Sequence, residues 1–314
     1  MYSPKTSNSS TYKWQASDIG TLQQRSAVIT GTGGIGFQTA LELARAGAEV
    51  IIAGRNPHKG AEAVAAIVRQ VPSAVVRFEQ LDLACLWSVG DFASRLRSQR
   101  TSLDLLINNA AVMMPPRRLD TVDGFELQFG TNYLGHFALT AQLMPLLSKG
   151  NDSRVVTLSS LAARDGVIRF SDLQSEKTYN PMAAYAQSKL ACLMFSLELQ
   201  RRSEANGRGI SSIAAHPGIS RTDLLHNGPG RNSIHGLLRT CLWFLFQPAA
   251  RGALPSLFAA TSPQARGGGY YGPAGLGETR GFPVDALVPP QALDTEAASR
   301  LWDISAGLAK TSLE

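Results

Sequence analysis

The chain has 314 residues, of which 44% are hydrophobic and 17% charged, so it carries ample core for one large α/β domain and is not a disordered chain. Its net charge of +6 is dispersed, without a Lys/Arg run, which argues against nucleic-acid binding. Three cysteines, Cys85, Cys192 and Cys241, lack paired spacing; they indicate neither a disulfide framework nor a zinc site, and a reducing compartment fits.

Residues 1–23 form a polar tail, rich in Ser, Thr and Asn, whose Tyr12 and Trp14 are expected to dock onto the domain that follows over 24–314. The tail has no apolar core, so neither a signal peptide nor an amino-terminal anchor is expected. The longest wholly apolar run, Cys241 to Phe246, is too short to span a bilayer. A soluble or at most peripheral protein is expected, in the cytoplasm.

Ser26 to Thr30 reads as a strand, followed by Gly31-Thr32-Gly33-Gly34-Ile35-Gly36 and a helix from about Phe37 to Ala46. Glycines at such a turn let the backbone approach a pyrophosphate, which the free amides of the following helix can hold. A second strand, Ala48 to Ala53, stands at the βαβ distance, which turns a weak glycine motif into a strong one. That strand runs into Gly54-Arg55, with no carboxylate to grip a ribose diol. Arg55 suits a 2′-phosphate instead, so NADP(H) is preferred over NAD(H); the alternative is an ordinary exposed arginine.

Val75 to Leu83 is the third predicted strand, and Asp82 near its end either accepts from an adenine amine or caps the next helix. Leu103 to Ile107 is the fourth, leading into Asn108-Asn109-Ala110-Ala111 at the edge where open parallel sheets bind ligands. Gly124 to Leu147 reads as one long helix. Asn132 lies inside it, a poor place for a side chain that competes for backbone hydrogen bonds; it is either solvent-exposed or holds a water. Ser153 to Leu158 is the fifth strand and enters Ser159-Ser160.

After an irregular insert, Leu161 to Ala184, comes a helix over Pro181 to about Arg202. Tyr185 and Lys189 lie four apart on it, so their side chains share one face. The pair is either a solvated surface pair or a proton donor whose phenolate is stabilised by the ammonium one turn away. Ile210 to Ala215 is strand six and leads to His216-Pro217-Gly218. The stretch Ile219 to Gln247 reads as a cap over a substrate, its apolar part being equally consistent with a packing helix or a dimer contact. A helix over Ala249 to Ala260, a last strand over Gly269 to Gly272 and a closing helix over Thr295 to Leu308 complete a doubly wound parallel sheet with helices on both faces.

Thr30-Gly31 with its glycine turn, Asn108-Asn109-Ala110, Ser159-Ser160, Tyr185-x-x-x-Lys189 and Pro217-Gly218 together resemble the short-chain dehydrogenase/reductase superfamily, a single Rossmann-fold domain, from about Gln24 to Leu308. Phe170 to Lys177, Tyr179-Asn180, Ser188 to Ala191 and Arg300 to Ser305 are similar to its retinol-dehydrogenase and protochlorophyllide-reductase-like branch. The resemblance implies a tetrad: Tyr185 as acid/base, Lys189 lowering its pKa and binding the nicotinamide ribose, Ser160 orienting the carbonyl, and Asn132 holding a water that links Lys189 to solvent. It also implies cofactor contacts from Gly31, Gly33, Gly34, Ile35, Gly36, Asp82, Leu83, Asn109, Ala110, Pro217 and Gly218, with Thr222 on the carboxamide. No metal is expected.

One departure stands out. The family has three residues between the first two glycines of its turn, whereas only Thr32 and Gly33 separate Gly31 from Gly34. A site where relatives place a basic residue near the 2′-phosphate is lost, but the spacing becomes the G-x-G-x-x-G of other dinucleotide folds, and binding is expected to survive. The expected activity interconverts a ketone or aldehyde and an alcohol, on a bulky apolar substrate suited to Leu237, Leu238, Trp243 and Phe244 of the cap. A carbon–carbon double-bond reductase and a non-catalytic NADP-binding regulator are the alternatives. A homo-oligomer is open, since relatives pair through the helices corresponding to Gly124–Leu147 and Pro181–Arg202.

Overall fold

The computed structural model describes residues 13–220 and 247–311. Its centre is an eight-stranded sheet ordered β3-β2-β1-β4-β5-β6-β7-β8. The strands are β1 (Ser26–Thr30), β2 (Glu49–Gly54), β3 (Val76–Gln80), β4 (Leu105–Asn108), β5 (Arg154–Leu158), β6 (Ser211–Ala215), β7 (Tyr270–Gly275) and β8 (Arg280–Asp285). All pairs are parallel except β7 with β8. Strands β1, β4 and β5 are buried at every position, because helices cover both faces and leave no side of the sheet to water.

The helices are α1 (Gly34–Arg45), α2 (Pro57–Gln70), α3 (Leu86–Gln99), α4 (Gly135–Leu147), α5 (Pro181–Ala205), α6 (Ala249–Gly252), α7 (Leu254–Thr261) and α8 (Thr295–Ala309). Local chemistry sets their starts. Asn56 accepts from the amides of His58 and Lys59, with Pro57 in the first turn of α2. Asn180 caps α5 through Ala183 in the same way, and Asp294 caps α8 through Ala297. Trp14 is buried and meets Phe258 edge-on at 5.4 Å, so the tail does dock there; Tyr12 lies outside the described residues.

The sheet reverses its direction of growth between β1 and β4, and the carboxyl ends of these two strands open onto the crevice where such folds bind ligands. On one face α8 closes over α4 and α5. Trp302 stacks on Phe195 at 5.8 Å and meets Phe137 edge-on at 5.2 Å, while Tyr133 Oη and Ser305 Oγ lie 2.7 Å apart.

Three expectations change. Of the predicted helix over Gly124–Leu147, the α-helical part starts eleven residues late, at Gly135: Asp120 and Glu126 form an antiparallel bridge, and a π-helical turn, Phe129–Leu134, precedes α4. The buried Glu126 carboxylate accepts from the amides of Gln128 and Phe129 and so starts the helical chain there. The predicted helix over Ala249–Ala260 is two helices, with Pro255 opening the second. The last predicted strand is the first arm of a hairpin whose other arm, β8, has only Phe282 and Val284 in alternation and is interrupted by Gly281 and Pro283.

Candidate active site

At the carboxyl edge of the sheet lies a cavity of about 520 Å³. The turn after β1 forms its floor, with Gly31 at φ +100° and Gly34 at φ +53°. Gly33 is the N-cap of α1 and has no side-chain bond there, so the first amides of α1 keep their hydrogens for an outside acceptor. Gly31, Gly33, Gly34 and Ile35 border the cavity. Gly36 sits just behind, where a Cβ would lie 2.5 Å from Asn109 Nδ2 and 2.7 Å from the Gly31 carbonyl.

Thr30 ties this turn to the next loop. Its hydroxyl oxygen accepts from the amides of Asn109 and Ala110, each at 2.9 Å, and its carbonyl accepts from Asn109 Nδ2 at 2.7 Å. Asn109 and Ala110 thereby become cavity wall. Beneath them the buried His136 places Nε2 2.9 Å from Thr30 Oγ1 and Nδ1 2.8 Å from the Asn132 carbonyl. A carbonyl can only accept, so the proton sits on Nδ1 and the Thr30 hydroxyl donates to Nε2. Burial pushes this imidazole down to about 4.

Tyr185 and Lys189 face the same cavity, which removes the surface-pair reading: their exposures are 5% and 3%. Lys189 Nζ lies 6.0 Å from the Tyr185 ring centre and donates to the Leu158 carbonyl at 3.0 Å. Of the two serines, Ser159 donates to the Lys189 carbonyl at 2.8 Å and so joins β5 to α5. Ser160 heads the 3₁₀ turn Leu161–Asp165 and only accepts, from the Ala162 amide, which leaves its hydroxyl proton for another acceptor. Ser159 is part of the cavity wall and Ser160 follows it directly.

Asn132 is buried in the π-helical turn. Its Nδ2 donates to the Val112 carbonyl at 2.9 Å and Ser188 Oγ at 3.0 Å, and its Oδ1 accepts from the Val112 amide at 2.7 Å. The solvent-exposed reading is therefore wrong: the side chain braces the loop beyond Ala111 against α5. Its carbonyl already serves His136 and Cys192. Cys192 is buried and Cys85 half-buried, and among the described residues no group of His, Cys, Asp and Glu is placed to hold a metal ion.

The expected cofactor residues divide. Pro217 borders the cavity, with Gly218 beside it at φ +61°. Arg55 is exposed at the end of β2 and lies off the cavity wall. Asp82 accepts from the Ala84 amide at 2.9 Å in the turn that leads to α3 and does not cap that helix, whose N-cap is Cys85 and whose Leu86 amide donates to Asp123; Leu83 is buried behind it. Thr222 and the cap residues Leu237, Leu238, Trp243 and Phe244 lie outside the described residues. Three wall residues escaped the sequence reading, Lys59, Glu62 and Ala63. The helix-start signal Asn56-Pro57 could have found Lys59, since it puts that side chain on the first turn at the same sheet edge.

Sheet order, glycine turn and the Tyr185–Lys189 cavity define a nicotinamide-nucleotide type of oxidoreductase fold, and the comparisons name the family. Residues 25–230 match the family model described as short chain dehydrogenase. Retinol dehydrogenase 13 of Mus musculus is 41% identical over 92% of this chain and 84% of its own length. Polyprenol dehydrogenase of Homo sapiens is 42% identical over 79% of this chain and 76% of its own. The crystal structure of an uncharacterized protein from Mycobacterium Paratuberculosis superposes with a TM-score of 0.80 at 39% identity, covering 96% of this chain and all of that one. The chain belongs to the short-chain dehydrogenase family of oxidoreductases, in its retinol-dehydrogenase-like branch.

Proposed function

We propose that this protein is an NADP(H)-dependent oxidoreductase that interconverts a ketone or aldehyde and an alcohol on a bulky apolar substrate. The observation that carries the reading is the meeting of Tyr185 and Lys189 with the glycine turn in one cavity. The site fits a dinucleotide: α1 offers uncapped amides, Gly31 and Gly36 let the turn pack tightly on Asn109 at the cavity floor, and Lys59 adds a cation. A bound nicotinamide supplies or accepts the hydride.

The chain's own residues handle the oxygen and its proton. As a carbonyl is reduced, charge grows on its oxygen, and hydroxyls of Ser160 and Tyr185 converging there stabilise it. Tyr185 gives the proton, and takes it back in the reverse direction, with Lys189 on the same cavity wall. Lys189 is itself held by the Leu158 carbonyl, which fixes the ammonium 6.0 Å from the Tyr185 ring centre. Met113 and Met114 pack on Tyr185 and Ala162, giving the substrate side an apolar, adaptable wall. The curated relatives named for retinol and polyprenol point to the same class of substrate. Cytoplasmic placement goes with this reading, and no helix among the described residues is long and apolar enough to cross a membrane.

The test is a fluorescence titration with NADPH and separately NADH, followed by a panel of long-chain and isoprenoid aldehydes, ketones and alcohols. Selective NADPH binding with turnover on the panel is expected. Binding of neither cofactor would refute the reading, and selective NADH binding would refute its cofactor half alone.

A further inference from the structure

The β7–β8 turn holds a charged cluster that the proposed chemistry does not use. Glu278 Oε2 lies 2.7 Å from an Arg164 guanidinium nitrogen and 2.9 Å from His216 Nε2, while its Oε1 accepts from the Leu287 amide at 3.0 Å. The His216 side chain is fully buried and that of Glu278 is 18% exposed. Because His216 Nδ1 accepts from the Gly218 amide at 3.2 Å, the ring proton sits on Nε2 and points at the carboxylate.

The three partners come from three segments. Arg164 lies in the 3₁₀ turn headed by Ser160. His216 opens the loop whose Pro217 borders the cavity. Glu278 belongs to the hairpin turn at the far edge of the sheet, in a run of left-handed backbone: Leu276 at φ +48°, Gly277 at +65° and Glu278 at +66°. Non-glycine residues adopt that conformation only where the surroundings hold them to it.

The neighbouring glycines make room for the contact. A Cβ on Gly272 would lie 1.9 Å from His216 Nε2, and one on Gly218 2.3 Å from the Thr279 carbonyl. The Ile219 amide donates to that same Thr279 carbonyl at 2.8 Å, so the loop after Pro217 is pinned to the hairpin there as well. Gln291 Nε2 adds a bond of 2.7 Å to the Arg164 carbonyl, holding the Ser160 turn from the same side.

From this arrangement we infer that Glu278 is a positioning residue for the reaction: its carboxylate joins the turn that carries Ser160 to the loop that carries Pro217 and so fixes the distance between the carbonyl-polarising hydroxyl and the cofactor's reactive end. The inference rests on the function proposed above. Arg164 acts on the Ser160 side of the junction and His216 on the Pro217 side, and Glu278 is the group common to both. Neither Arg164 nor Glu278 is among the residues that border the cavity, so their effect passes through the two segments they hold.

The test compares Glu278→Gln, Arg164→Met and Arg164→Lys with the wild type, measuring NADPH affinity, kcat, KM for the carbonyl substrate and melting temperature. Arg164→Met removes the ion pair to Glu278 but keeps the Gln291 bond to the residue-164 carbonyl, so it loosens the Ser160 turn alone; kcat should fall about tenfold or more with NADPH affinity and KM within about threefold, and Arg164→Lys should recover most of the loss. Glu278→Gln removes the charge that Arg164 and His216 share and loosens both segments, with the Ile219–Thr279 bond remaining, and should in addition weaken NADPH binding about tenfold. Turnover by Arg164→Met within about twofold of wild type, or NADPH affinity unchanged in a folded Glu278→Gln, would overturn the inference while leaving the proposed function intact. If the wild type binds NADPH but turns over nothing in the panel, the affinity of Glu278→Gln still decides. A wild type that binds no nicotinamide cofactor overturns the proposed function, and the inference with it.

Discussion

Lys59 is the side chain that bears most directly on cofactor choice. It stands on the cavity wall while Arg55, the residue that the sequence singles out, is exposed and off it. An ammonium on a flexible stem suits a phosphate as a point charge. Replacing Lys59 by Met should weaken NADPH binding about tenfold and NADH binding little, since only the former carries the 2′-phosphate. Equal losses for both cofactors in a titration would place Lys59 elsewhere, and a larger NADPH-selective loss on Arg55→Ala would restore the original assignment. Gly36 gives a second prediction at this scale. A Cβ there meets Asn109 Nδ2 and the Gly31 carbonyl, both backed by packed chain, so Gly36→Ala should weaken NADPH and NADH alike while the protein stays folded.

Among the elements, the junction of β1, the Asn109 loop and α4 depends on a buried neutral imidazole. Burial holds His136 down to about 4, and it lowers His216 as well despite the neighbouring Glu278 carboxylate. The unfolded chain takes up these protons near the ordinary histidine value of about 6.5, before the folded protein does. The stability that a neutral His136 contributes is therefore complete above about 6.5 and is lost as pH falls toward about 4, by on the order of 3 kcal/mol for His136. Urea unfolding across that range should show the decline, and His136→Gln should flatten part of it; an unchanged slope in the variant would remove His136 from the account. The helix α8 is the other element with a distinct energetic role. Trp302 fills the space between Phe137 and Phe195, and its replacement by Ala should cost about 3–5 kcal/mol in the same unfolding experiment.

For the whole molecule, α8 also bears on assembly. It covers α4 and α5, the helices corresponding to those through which relatives were expected to pair, and every residue of α4 except Gln142 and Pro145 is buried within the single chain. A dimer through that face would have to displace Trp302. Light scattering should therefore find no dimer built on it, whereas Trp302→Arg should open the face and produce self-association or loss of fold; a wild-type dimer cross-linked between α5 helices would contradict this. Much of the arrangement was legible in the sequence wherever a motif coincided with a change of hydrophobic period. The β1–glycine turn–α1 unit and the Tyr185–Lys189 helix face are of that kind, since glycine positions and a spacing of four carry their geometry with them. What escaped depends on contacts distant in sequence. The strand β8 carries only Phe282 and Val284 in alternation, broken by Gly281 and Pro283, and is held by its pairing with β7. The π-helical turn at Asn132 starts where the Glu126 carboxylate collects two amides, inside a stretch whose apolar pattern reads as one helix. Lys59 reaches the cavity, and Glu278 joins Arg164 to His216, only because the sheet order brings their segments to one edge.

The proposed chemistry turns on Tyr185 as the group that moves the proton. Its most direct test is to measure NADPH affinity and steady-state turnover on the best carbonyl of the panel for wild type and Tyr185→Phe. The phenyl ring keeps the packing against Ala162 and Met113 and loses only the hydroxyl, so kcat should fall by about 10²–10⁴-fold with NADPH affinity nearly unchanged. A folded Tyr185→Phe protein that retains most of the wild-type turnover would contradict the mechanism.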